Sequence, residues 1–290
     1  MTAPGAGPDR RIAVGMVLGG ITSVQIGSAL ATHLFADIGA AGTVLLRTVF
    51  GAAVLALFWH PVARSMDRST LRDIGLFAIT LGGMNLCFYE SLERLPLGIA
   101  VMLEFVGPLA VAIAGTRNRL DLLWVGLAAS GILLLAPDIG DGLDAAGVAL
   151  ALTAGAFWGL YILMSARVGR GPAGLGGLTT AMIVASVLLL PVGIADGGAE
   201  LIAPEILAVG FGVAILSSAI PYTVELEALR RLPERVFGVL LSIEPAIGAI
   251  VGLIVLGQQL AGTEVVAIAL VVAASAGALS SAEVVETPQT

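Results

Sequence analysis

A 24-residue stretch of this chain is written twice. LERLPLGIAVMLEFVGPLAVAIAG, from Leu92 to Gly115, returns as LRRLPERVFGVLLSIEPAIGAIVG from Leu229 to Gly252, at a constant offset of 137 and without a gap. Leu92, Arg94, Leu95, Pro96, Leu103, Pro108, Ala112, Ile113 and Gly115 meet the same residue type in the second copy. Repetition on this scale constrains the whole fold, because it implies two halves built on one plan. Inside a helix a proline has no N–H to give to the carbonyl four residues earlier. Pro108 therefore frees the carbonyl of Glu104, and Pro245 frees that of Leu241, which is the equivalent position. Each break also has a carboxylate beside it, Glu104 in one copy and Glu244 in the other. Glu244 aligns with Gly107, three residues from Glu104, roughly the same helix face.

The medium around these breaks follows from composition. The 290 residues are 58% hydrophobic and 12% charged, against about 45–50% apolar and about 25% charged in a soluble domain. Apolar runs recur from Ile12 to Leu279, each near the ~20 residues that cross hydrocarbon as a helix, and none shows the two-residue alternation of a membrane β-strand. The runs give ten expected spans, at 12–32, 39–59, 71–90, 98–115, 121–137, 145–166, 175–195, 203–224, 236–256 and 262–281. The first run is longer than a signal-peptide h-region and reads as a span. Residues 1–11 and 282–290 are short tails.

The chain has no lysine, and its arginines are segregated. With the N-terminus in the cytoplasm, twelve of the fourteen basic residues fall on that side, Arg94 falls on the other, and Arg47 lies within a span. That bias follows the positive-inside rule and puts both termini in the cytoplasm. Five spans per half is an odd number, so the halves must insert with opposite sense. The expected fold is thus all-α: ten transmembrane helices as two inverted five-helix repeats, 12–137 and 145–281. Inverted repeats with broken helices at matching positions mark secondary transporters, which bind substrate near the midplane between halves. A weaker echo pairs Gly15 with Gly147 and Gly27 with Gly159, at an offset of 132.

A carboxylate at membrane depth costs about 2.5 kcal/mol or more, so Glu104 and Glu244 read either as proton or amine sites or as carboxyls locking helices together. Arg47 is the deeply placed cation. It either counter-charges one of those acids or holds a substrate carboxylate in a bidentate pair. Thr22, Gln25, Ser28 and Thr32 share a face of the first span, with Gln25 the candidate pathway residue. Asn85 and Tyr89 lie one turn apart on the third span, and Ser218, Tyr222 and Glu225 repeat the pattern on the eighth. Tyr89 and Tyr222 fit either an interfacial aromatic belt or a ligand site. The lone cysteine, Cys87, excludes disulfide scaffolding, and the two histidines form no metal pair. No hydrolytic constellation, metal site, cofactor motif or nucleic-acid-binding basic domain is present, and an enzyme is not expected.

With these residues in view, the chain resembles the EamA-type drug/metabolite transporter superfamily, and within it the bacterial threonine/homoserine exporters. The resemblance rests on SVQIGSALATHLF and GAAGTVLLR, on GGMNLCFYESLERLPLGIAVMLEFVGPLAVAI, on AGAFWGLYIL, and on SSAIPYTVELEALRRLPERVFGVLLSIEPA. It implies a multi-pass protein of the bacterial inner membrane, monomeric or homodimeric, that exports small amino acids against protons. The cavity between two inverted halves would be lined by Gln25, Asn85, Tyr89, Glu104, Tyr222 and Glu244. A broader metabolite, purine or drug exporter and a non-transporting membrane scaffold are the alternatives.

Overall fold

The computed structural model describes residues 8–61, 67–114, 120–135, 142–170, 174–221, 224, 228 and 240–281. Its helices are α1 (Pro8–Thr32), α2 (Phe35–Phe58), α3 (Arg68–Leu92), α4 (Leu97–Glu104), α5 (Val106–Ala114), α6 (Leu120–Leu135), α7 (Ala145–Arg170) and α8 (Gly174–Gly197). A 3₁₀ turn, Gly198–Ile202, leads to α9 (Pro204–Ala214), which runs into a π-helical turn at Ile215–Ala219. The last helices are α10 (Glu244–Leu256) and α11 (Gly262–Ser281). Among the described residues, five helices are long and apolar enough to cross a membrane: Arg11–Thr32, Phe35–Phe58, Arg68–Leu92, Ala145–Ser165 and Gly176–Ile202. The shorter apolar helices are Leu97–Val111, Leu123–Leu134, Pro204–Ala219, Glu244–Leu256 and Gly262–Gly277. Leu57 is 80% exposed, Ile254 75% and Leu133 68%. Apolar side chains facing outward on this scale suit hydrocarbon rather than water.

Both repeated prolines interrupt their helices. The first copy breaks at Phe105, between α4 and α5, and the second at Ser242 and Ile243, just before α10. Phe105 and Ser242 are equivalent at the offset of 137. Each break lies three residues before its proline, where the ring excludes the normal backbone bond. The ladder restarts with Leu109 N–H donating to Phe105 at 3.2 Å and Ile247 N–H donating to Ile243 at 3.0 Å.

Helices early in the chain pack chiefly on helices late in it: α2 on α8, α3 on α7, α4 on α10, α6 on α11, and α1 on the π-turn and α10. The α2–α8, α3–α7, α4–α10, α6–α11 and α1–π-turn crossings are antiparallel. On α4 and α10, Leu97 faces Gly252, Gly98 faces Ala249 and Val101 faces Gly248. Gly83 of α3 meets Phe157 of α7, and nearly three turns earlier Asp73 meets Arg167 at 2.7 Å. Gly131 and Trp124 of α6 meet Ala267 and Gly277 of α11 in the same opposed order.

Glycine sets the closest approaches. A Cβ on Gly98 would sit 2.7 Å from the backbone of Ala249, and one on Gly155 would sit 2.5 Å from the carbonyl oxygen of Glu104. The carbonyl of Gly155 in turn lies against Gly107. So α7 crosses the α4–α5 break backbone to backbone, and the carbonyl freed by Pro108 is turned onto that crossing. The glycine at 155 lets this freed carbonyl pack, in the geometry of weak Cα–H···O contacts.

The two ends of the bundle are tied by polar contacts. Gly39, at φ 65°, interrupts α2, and the helix restarts with Ala40 N–H donating to the Glu93 carboxylate and Ala41 N–H to that of Asp196, both at 3.0 Å. Acids suit a helix start, where amides lack intrahelical partners. At the other end Asp67 caps α3. Hydrogen bonds from Thr70 and then Ser69 hold its carboxyl down at about 2.

Gly155→Ala is expected to cost about 1–3 kcal/mol, the usual penalty for overpacking. Gly126→Ala, where a Cβ meets nothing within 4 Å, should leave stability unchanged or slightly raised. Thermal unfolding of the two purified variants in detergent makes the comparison.

Candidate functional site

Arg47, halfway along α2, is 8% exposed. A charge so buried must find partners, and it finds neutral ones. One terminal nitrogen donates to Asn85 Oδ1 of α3, and the other donates to the Ser217 carbonyl at 3.0 Å. The guanidinium carbon lies 5.2 Å from the centroid of the Tyr89 ring, within cation–π range. Asn85 is oriented for the task, because its Nδ2 donates to the Leu81 carbonyl one turn back at 2.8 Å and leaves Oδ1 facing the arginine.

The Ser217 carbonyl is available for a reason that can be read locally. Pro221 stands four residues on and has no N–H to offer it. The π-turn adds a second freed group: Ile220 N–H reaches back to Ile215, so the Leu216 carbonyl also loses its α-helical donor. Ser23 of α1 fills that place, its hydroxyl donating at 2.7 Å. Inserted turns of this kind recur at functional sites.

The acids complete the centre. Glu104, the last residue of α4, is 7% exposed, and Glu244, the first of α10, is 8% exposed. Gln25 of α1 donates from Nε2 to Glu244 Oε1 at 3.1 Å. The charged groups close enough to act on Glu104 are Glu244, which repels its anion, and Arg47, which attracts it. Among the described residues Arg47 forms no ion pair within 4.0 Å with either acid; the salt bridges there join Arg72 and Arg167 to Asp73 and Arg94 to Glu90.

Two of the curated relatives are both named threonine/homoserine exporter RhtA. The one from Salmonella typhimurium strain LT2 is 41% identical over 262 residues, 89% of this chain and 88% of the relative. The one from Escherichia coli K12 is 40% identical over 267 residues, 90% and 89% of the two chains. The EamA-like transporter family matches residues 145–280. The chain belongs to the EamA-like transporter family. A solved crystal structure of a protein with 19% identity superposes at a TM-score of 0.63 over 94% of this chain and 99% of its own, a likeness of fold. The family is one of multi-pass membrane transporters, not of enzymes.

In this EamA-like transporter the sequence-expected residues converge. Gln25, Arg47, Asn85, Tyr89, Glu104 and Glu244 all lie in one buried centre contributed by both halves of the chain. Tyr89 is 0% exposed and packs against Phe35 and Phe88, which is not an interfacial-belt position. Tyr222 lies outside the described residues. Ser217 was missed, yet the rule applied to Pro108 and Pro245 would have found it from Pro221.

Arg47→Leu should destabilise the protein by about 3–5 kcal/mol, as removal of one member of a buried charge set does. Adding Glu104→Gln should return part of that loss, with a coupling of about 0.5–3 kcal/mol. Melting temperatures of the two single variants and the double variant test this, and strictly additive losses would show that the two groups do not share a field.

Proposed function

We propose that this chain exports small amino acids of the threonine/homoserine type across the bacterial inner membrane, in exchange for protons and by alternating access. The observation that carries the reading is the centre itself, in which one buried cation and two buried carboxylates are held by contacts that span the two halves: Gln25 to Glu244, and Arg47 to Ser217. An amino acid presents the opposite pair of charges, and the named activity of the relatives supplies its class.

The proposed scaffold is ten spans in two inverted five-helix repeats, with both termini cytoplasmic. The packing supports it. Advancing each helix by one half of the chain turns the α1 contact with the π-turn into that of α7 with α3, and the α1–α10 contact into that of α7 with the α4–α5 pair. The same operation returns the α2–α8, α4–α10 and α6–α11 contacts to themselves, as a two-fold axis in the membrane plane requires. The copies of the repeat that carry Pro108 and Pro245 run antiparallel where they touch.

Coupling needs no more than competition. A protonated carboxyl holds an ammonium poorly, so Glu104 and Glu244 bind either protons or the substrate amine, while Arg47 orients the substrate carboxylate. In proteoliposomes, counterflow of labelled threonine or homoserine should occur and should accelerate under a pH gradient. Glu104→Gln should abolish the gradient-driven part; transport by that variant at the unaltered rate would remove Glu104 from the mechanism.

A further inference from the structure

Among the described residues, four side-chain atoms of the buried centre have no hydrogen-bond partner: Gln25 Oε1, Arg47 Nε, Tyr89 OH and Ser217 Oγ. Their residues are 1%, 8%, 0% and 3% exposed. Buried polar atoms are nearly always satisfied, and each exception needs a reason. Four in one centre, on α1, α2, α3 and the π-turn, share one reason if a ligand completes them.

Their chemical types differ in a telling way. Gln25 Oε1 accepts only, because Nε2 is committed to the Glu244 carboxylate and that bond fixes the amide orientation. It extends the acceptor pole of Glu104 and Glu244, which suits an ammonium with three donors. Arg47 Nε donates only, and suits a carboxylate. Tyr89 OH and Ser217 Oγ both donate and accept. They are matched by neither charged end of a zwitterion but by a group of their own kind.

We infer that Tyr89 and Ser217 are specificity residues that read a hydroxyl on the substrate side chain. The two flank one guanidinium: Arg47 lies over the ring of Tyr89 and donates to the backbone of Ser217. A side chain extending from a carboxylate held at Arg47 Nε therefore starts out between them. Gly27 gives Ser217 its place, since a Cβ there would collide with the serine Oγ. This inference rests on the amino-acid export reading and adds to it the discrimination of hydroxylated from plain aliphatic amino acids.

The test compares counterflow of homoserine with that of 2-aminobutyrate, which lacks only the hydroxyl. The wild-type protein should prefer homoserine in kcat/KM by at least about tenfold, the effect of leaving a buried polar group unpaired. Ser217→Ala and Tyr89→Phe should each pull that ratio toward one. Ser275→Ala removes an equally orphaned hydroxyl on α11 and should leave the ratio unchanged. If a variant no longer transports, the rise in melting temperature caused by each amino acid reports the same preference. Equal handling of the two amino acids by the wild-type protein overturns the inference and leaves the export reading standing, as does a ratio unmoved in both variants. Transport of neither amino acid overturns the export reading and this inference with it.

Discussion

The structure depends on keeping a guanidinium inside a membrane protein. Arg47 is buried in α2, and among the described residues none of its hydrogen bonds goes to an anion. Such a charge is tolerated only where dipoles, a ring face and nearby carboxylates together replace its hydration. Supplying them takes parts from distant stretches: Asn85 and Tyr89 from α3, the Ser217 carbonyl from the π-turn, Glu104 from the end of α4 and Glu244 from the start of α10. No single half of the chain could assemble that set. The requirement that the halves interleave is thus the same requirement that builds the site.

Proline acts in the same local way at three positions, and its surroundings decide the result. Pro108 frees the Glu104 carbonyl, which then lies against Gly155 and serves packing. Pro221 frees the Ser217 carbonyl, which takes the arginine. Pro245 stands immediately after Glu244 and fixes where α10 begins, so the carboxylate projects from a helix start, an electrostatically favourable place for an anion. A missing N–H creates an acceptor. What that acceptor does is settled by the residue opposite.

Much of this was legible in the sequence, and the limits have physical causes. The prolines at equivalent positions announced the broken helices, because the rule behind them is local. The burial of Glu104, Glu244 and Arg47 was to be expected from their places inside apolar runs. Partners were another matter: Gln25 is 219 residues from Glu244 along the chain, and no periodicity within one helix reveals that they touch. Tyr89 shows the same limit, since an aromatic near the end of a span looks like a belt residue until Phe35 and Phe88 are seen to enclose it. The π-turn was invisible, as one inserted residue leaves the apolar run of α9 unchanged. Gly39 was likewise hidden, because its break is made by carboxylates arriving from the α3–α4 loop and from α8.

The glycine crossings bear on movement. Interlocked leucines on facing helices act as gear teeth, and sliding one helix along the other means lifting each tooth over the next. Gly98 on Ala249, Gly155 on the Glu104 carbonyl and Gly42 on Gly197 present main chain to main chain, with no teeth to lift. At these three points the early and late helices meet as plain bearings. Under the alternating access proposed above, contacts of this kind would let early and late helices shift slightly along one another at lower cost than interdigitated side chains.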